Sequence, residues 1–227
     1  MWESLEVVIG ALPYMLEGSL VTLGIVFGAM AVGLVMGVPL AVTQVYGPFA
    51  LRRAVSLYVW FFRGVPVLVQ LYLFYFGLFT LIGLNISAFA AAALVLGLTS
   101  AAYQSQIFRG AMQSLPQGQL KAARALGMSD GRAIVNIILP QALRLSIPAW
   151  SNEYSIILKD SAVAFVLGTA EIMARSHFVA SRTYKQFAMY VAAGVLYFVL
   201  TWIGVRALLL LERRVRIPGY TQQGALS

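Results

Sequence analysis

This sequence predicts an all-α integral membrane protein: a helical bundle of five transmembrane helices with a water-facing helix–turn–helix between the third and fourth. Three observations predict it. Of 227 residues, 60% are hydrophobic and only 11% charged, against about a quarter charged in soluble domains. Several uncharged runs exceed the roughly 18 residues that a membrane helix needs. One polar island, residues 119–140, interrupts the runs and carries Lys121, Arg124, Asp130 and Arg132, charges that keep it out of hydrocarbon.

Residues 1–17 are mildly amphipathic and contain Pro13, which is expected to break them into a segment on the outer surface. Glu3 and Glu6, with no basic residue nearby, do not suit a cleaved signal peptide. The first span, residues 19–46, has no charge. Its Gly24, Gly28, Gly33 and Gly37 recur at a spacing that admits a second helix at close range and that is also ordinary for a membrane helix. Gly47-Pro48 ends it, and Arg52 and Arg53 follow at an inner turn.

Residues 54–108 hold a single charge, Arg63. They are long enough for two spans, 55–81 and 86–108, divided near Gly83-Leu84-Asn85. Pro66 removes a backbone donor and kinks or interrupts the second span. Arg63 either snorkels to the inner interface or faces a polar cavity, with Gln70 further along. The third span ends in a polar run: Ser100, Tyr103, Gln104, Ser105 and Gln106.

The coupling loop, 111–138, follows. Residues 122–126 read as helix. Gly127 stops it, because glycine tolerates the left-handed conformation at a helix end, and Ser129 is placed to cap a second short helix with its hydroxyl. The fourth span, 140–168, is followed by a polar segment with Glu171, Arg175, His177, Arg182 and Lys185. A fifth span, 187–210, leads to Arg213, Arg214 and Arg216.

With five spans, Arg52, Arg53, Arg109, Lys121, Arg124, Arg132, Arg144, Arg206, Arg213, Arg214 and Arg216 fall on one side, and Arg175, Arg182 and Lys185 on the other. The positive-inside rule then places the N-terminus outside and the C-terminus in the cytoplasm. The same rule accounts for the net charge of +8 as topology and not nucleic-acid binding. The absence of cysteine excludes disulfides and thiolate metal sites, and the lone His177 excludes a histidine metal cluster within one chain. Residues 1–227 read as one domain.

The fourth span carries charges inside the membrane, where they are costly and tend to be functional. At 100° per residue, Asn152, Ser155 and Lys159 lie within roughly 60° of one another. Glu153 and Asp160 lie within roughly 20° of each other, about 100° further round. Tyr154, Ile157 and Leu158 take the opposite side. The polar arc is expected to face the bundle interior. Its mixed charges suit a zwitterion, whose ammonium needs an acid and whose carboxylate needs a cation or N–H donor. The competing reading is an internal ion pair of Lys159 that only fixes helix packing. Two acids against one lysine lean toward a cationic or neutral polar ligand.

These residues carry a resemblance. The island, Lys121-Ala122-Ala123-Arg124-Ala125-Leu126-Gly127 and then Ile137-Ile138-Leu139-Pro140, resembles the cytoplasmic loop of ABC-type import permeases. More narrowly, four stretches in order are similar to the permease subunits for polar amino acids, the histidine/glutamine/arginine group. They are Leu12-Pro13 through Leu23; Phe62-Arg63-Gly64-Val65-Pro66 with Leu68-Val69-Gln70-Leu71; Arg109-Gly110-Ala111 through Gln119; and Asn152-Glu153 with Leu158-Lys159-Asp160-Ser161. Two departures stand out: Lys121 occupies a position usually acidic, and Gln106 stands where many relatives have an acid.

The resemblance implies a permease subunit in a bacterial cytoplasmic (inner) membrane that pairs with a second permease subunit, as homodimer or heterodimer. Two ATP-binding subunits would attach inside, and an extracytoplasmic binding protein would deliver a polar amino acid. ATP and Mg would belong to the ATPase, since this chain has no GxxxxGK[ST] loop. The implied coupling residues are Gly118, Gln119, Ala122, Ala123, Leu126 and Gly127. The implied substrate residues are Asn152, Glu153, Lys159, Asp160, Ser161, Arg63 and Gln70. The rival readings are an ion-coupled secondary amino acid transporter, with Glu153 and Asp160 as the ion relay, and a non-transporting membrane scaffold.

Overall fold

A computed structural model describes residues 2–215, and all regular structure among them is helical. Arg216, used above for topology, lies outside the described residues. The first helix, α1 (Trp2–Tyr46), is a single 45-residue rod. It passes through Pro13 and Pro39 without interruption, so the expected break at Pro13 does not occur. Proline forfeits one hydrogen bond, and packing on both sides of Pro13 outweighs that loss: Ala11 and Met15 are buried against Ile172, Ala180 and Met189.

Pro66 does break its helix. α2 (Phe49–Gly64) ends there, and α3 (Val67–Tyr72) starts a second piece that continues as π-helical turns, Leu73–Phe79. The two pieces meet at 109°. The 55–81 span is therefore bent and not straight. Gln70 staples the break. Its amide nitrogen donates to the carbonyls of Phe62 (2.9 Å) and Val65 (2.7 Å), which the proline leaves without helical partners, and its oxygen accepts from Thr99 (2.6 Å).

Ser87 caps α4 (Ala88–Ser114) by accepting from the backbone N–H of Ala90. α4 is the central helix and packs along α1, whose glycines form the contact. A Cβ on Gly37 would lie 3.0 Å from Gln104 Cβ and 3.3 Å from the Ala101 carbonyl, and one on Gly33 would strike the Gln104 amide. The glycine spacing therefore does bring a helix close. The main core lies at this seam and includes Ile25, Ala29, Val95, Leu96, Ile157 and Leu158.

After α5 (Gly118–Ala125) the chain turns at Gly127, which adopts φ +78°. Ser129 sits at the expected cap position with extended backbone, but its hydroxyl makes no capping bond. The turn is clamped instead by Arg124 and Asp130, which pair through two hydrogen bonds of 2.7 and 2.8 Å. The second helix is not a short separate piece. α6 (Asp130–Ala133) runs through π-helical turns into α7 (Leu139–Asp160) and a 3₁₀ segment, Ser161–Leu167, giving 38 residues in all. α8 (Ile172–Thr183) lies between the spans, and α9 (Gln186–Val215) is the last. Four helices are long and apolar enough to cross a membrane, or five when the bent α2–α3 pair counts as one.

Candidate functional site

Along α7 the apolar side is the one turned into the chain's own core. Tyr154, Ile157 and Leu158 are buried there, and Tyr154 lies over Gly204 of α9 with its hydroxyl donating to the Leu200 carbonyl at 3.2 Å. Asn152 and Lys159 are exposed, and Asp160 is half-buried. The expected direction of the polar arc is thus corrected: except for Glu153, it faces away from this chain's core. Three apolar side chains bury more surface than the arc could, so they take the interior.

Glu153 is buried (2% exposed). Its carboxylate accepts a hydrogen bond from Ser100 at 2.8 Å. Ser100 in turn accepts from the Gln104 amide at 3.0 Å, and Gln104 accepts from the Trp150 indole N–H at 2.8 Å. A directed chain of donors therefore leaves α7 at Trp150, passes along α4 and returns to α7 at Glu153. The Gln104 amide also reaches the Met30 carbonyl of α1 at 3.2 Å. Arg63 is exposed and lies 5.0 Å above the Tyr103 ring, a cation–π arrangement.

Two residues expected to bind substrate have other partners. Gln70 spends both amide hydrogens on the Pro66 break, and Ser161 is buried with its hydroxyl on the Leu158 carbonyl at 2.8 Å. Asn152, Glu153, Lys159 and Asp160 remain together on α7, and Arg63 of α2 lies over Tyr103 of α4. The sequence reading missed Gln104, Ser100 and Trp150 as a unit. The polar run at the end of the third span was the visible signal, and the tryptophan gave none.

Between α4 and α6, α5 stands out from the bundle. Ala123 is its one buried residue, while Gly118, Ala122 and Gly127 are exposed and Leu126 is 84% exposed. Gln119 and Gln141 exchange two amide hydrogen bonds of 2.9 Å, which fixes α5 to the start of α7. A cavity of about 510 Å³ between α1, α4 and α5 is lined by Tyr46, Met112, Gln117, Leu120, Lys121 and Arg124 among others. Lys121 thus turns toward a space beside the loop. Gln106, the other departure, donates to Gln44 at 2.8 Å.

A third cluster, also missed in the sequence, fastens α8. Glu171 is fully buried and caps that helix through the N–H groups of Met173 (2.9 Å) and Ala174 (2.6 Å), and it accepts from the Tyr197 hydroxyl of α9. Arg175 bonds Glu17 at 2.6 Å and the Tyr14 carbonyl at 2.9 Å on α1. Among the described residues, no group of three or more histidine or acidic side chains is placed to hold a metal ion.

Comparison with known proteins agrees with this layout. Residues 29–217 match the family described as the binding-protein-dependent transport system inner membrane component. The chain is 40% identical over 200 residues to the probable amino-acid permease protein YxeN of Bacillus subtilis, covering 87% of this chain and 89% of the relative. It is 37% identical over 194 residues to the arginine transport system permease protein ArtQ of the same organism, covering 85% and 88%. Its fold superposes with a TM-score of 0.81 on a chain from the crystal structure of an amino acid ABC transporter with histidines, at 35% identity and with 91% and 96% of the two chains covered. With an all-helical bundle, an outstanding α5 and a family match over most of its length, the chain belongs to the inner-membrane components of binding-protein-dependent transport systems.

Proposed function

We propose that this chain is the permease subunit of an ATP-driven ABC importer that carries polar amino acids into the cell. The observation that carries the mechanism is α5: a short helix held by Ala123 and the Gln119–Gln141 pair that leaves Leu126 in the open. Leu126 is exposed together with Gly118, Ala122 and Gly127, so the loop offers a surface of small and apolar groups that its own chain does not cover. Gly118, Ala122, Leu126 and Gly127 form the surface that an ABC ATP-binding subunit grips, while Gln119 and Ala123, the other two expected coupling residues, anchor it to the bundle. That subunit binds ATP and Mg and performs the hydrolysis. Its closure pushes α5, and because α6 and α7 are one helix, the push travels directly into the span that bears the polar arc.

The polar arc of Asn152, Lys159 and Asp160 faces out of the single chain. That fits a path formed between two permease subunits, of the same or similar sequence, with Glu153 buried behind it and Arg63 exposed on α2. An ammonium would meet Asp160, with the buried Glu153 charge behind it, and a carboxylate would meet Lys159 or Arg63. An extracytoplasmic amino-acid-binding protein delivers the substrate, the N-terminus lies outside and the C-terminus inside. The ion-coupled reading is not favoured, since the relatives are permeases of amino acid transport systems.

The test is reconstitution of the permease with its ATPase and binding protein in vesicles. ATP hydrolysis and uptake should rise together when one of a panel of polar amino acids is added. Uptake driven by an ion gradient without ATP or binding protein would overturn the proposal.

A further inference from the structure

Arg52 and Arg53 of α2, Arg109 of α4 and Gln44 of α1 converge on one concave space of about 350 Å³, completed by Ser56 and Phe49. Positive-inside topology accounts for basic residues at an inner surface. It does not account for three guanidinium groups from two helices sharing one cavity. Like charges brought together repel, and among the described residues none of the three forms an ion pair. Gln44 uses its carbonyl oxygen to accept from Gln106, so its amide hydrogens are left to donate. The three arginines and Gln44 can therefore offer donors to an anion, whereas the Ser56 hydroxyl is spent on the Arg52 carbonyl at 2.8 Å; guanidinium forks match phosphate oxygens in particular.

The surroundings say which anion. Phe49, on the cavity wall, is 72% exposed, and Trp60, three turns along the same face of α2, is 75% exposed. α2 does not continue straight into a span but turns through 109° at Pro66. An amphipathic helix with a basic cluster and large apolar side chains beside it is suited to the headgroup–acyl boundary of a bilayer. A ligand that fits has an anionic phosphate and an apolar part attached to it.

We propose that this cavity binds the headgroup of an anionic phospholipid of the inner leaflet, with the phosphate among Arg52, Arg53 and Arg109 and the glycerol region against Phe49. The assignment to the inner leaflet rests on the topology proposed above. A bound lipid there bridges α2 and α4, and α2 is the helix that carries Arg63. Filling the cavity therefore steadies the element that holds one charge of the candidate substrate path.

The experiment uses the full transporter complex in detergent, with native mass spectrometry after exchange into mixed micelles of phosphatidylglycerol and phosphatidylcholine. Wild type should retain phosphatidylglycerol selectively. Arg52→Gln/Arg109→Gln should lose that retention about tenfold or more, given roughly fivefold for each basic group near an anionic lipid. Arg213→Gln/Arg214→Gln, with the same charge change elsewhere on the inner side, should retain it. Equal loss in both double variants would reduce the effect to net charge and overturn the site. Displacement of the lipid by millimolar inorganic phosphate, or equal retention of both lipids by wild type, would overturn the lipid assignment. Loss of the ATPase subunit without loss of lipid would make the cluster a protein contact and likewise overturn it. Amino-acid-stimulated ATP hydrolysis, measured separately on the same preparations, tests the permease reading, and lipid retention is readable whichever way that result falls.

Discussion

Gly33 is where one atom decides a large contact. A Cβ there meets the Gln104 amide, which is engaged with Ser100, Met30 and Trp150. Overpacking a well-packed seam costs about 1–3 kcal/mol. Gly33→Ala should lower thermal stability in detergent accordingly, and adding Gln104→Ala should recover part of the loss, since the two changes share one space. A double variant whose loss equals the sum of the singles would show that the clash is relieved elsewhere. Gln70 gives a second residue-scale test. If it is a staple over Pro66, Gln70→Leu leaves the Phe62 and Val65 carbonyls without a donor and costs about 1–3 kcal/mol. The apparent affinity for the transported amino acid should be unchanged in whatever complex assembles, and a raised KM with unaltered stability would return Gln70 to the substrate path. Sequence alone showed a glutamine beside a proline in a membrane. Which of the two jobs it does depends on where two carbonyls end up after the chain bends.

For the loop element, the space around Gly127 matters as much as its φ of +78°, because no atom lies within 4 Å of where its Cβ would be. Within the chain the only cost of a side chain there is backbone strain, about 1–2 kcal/mol for most residues and less for asparagine. Gly127→Asn should therefore keep both assembly and coupling. Gly127→Leu should remain in the membrane yet lose bound ATPase or hydrolyse ATP without transport, because the added bulk projects into the partner's space. Normal ATP-driven uptake by Gly127→Leu would end that account. Leu126→Ser should weaken ATPase retention on co-purification with no loss of the chain's own stability, since Leu126 buries almost nothing in the chain. The Arg124 guanidinium holds the Asp130 carboxyl below its ordinary value of 3.8. A depressed carboxyl pKa contributes stability above the unfolded value that is lost as pH falls through the folded one. Coupled ATPase activity should thus show no titration of this clamp from neutral pH down to about pH 4, and Asp130→Asn should remove the clamp at every pH. The helix–turn–helix was legible because glycine and island polarity are local signals. The clamp was not, because Ser129 and Asp130 both have cap chemistry and only the approach of Arg124 chose between them.

At the scale of the whole molecule, hydropathy found the spans because burial in lipid acts over entire segments, whereas facing was misjudged for the fourth. A helical wheel separates a polar arc from an apolar one but cannot say which is turned to the same chain when the pore lies between two chains. The difference is testable with single cysteines, and the natural chain has none to interfere. Asn152→Cys and Lys159→Cys, at exposed positions, should react with a membrane-impermeant thiol reagent in the assembled transporter in at least one nucleotide state. Glu153→Cys, at a position 2% exposed behind Ser100, should react far more slowly in every state. A pattern in which 152 and 159 are protected throughout would place the arc in a sealed interface between subunits and remove it from the path. Labelling of 152 and 159 that switches with nucleotide would instead tie the face of α7 to the movement of α5, since the two are joined through one unbroken 38-residue helix after the Gly127 turn.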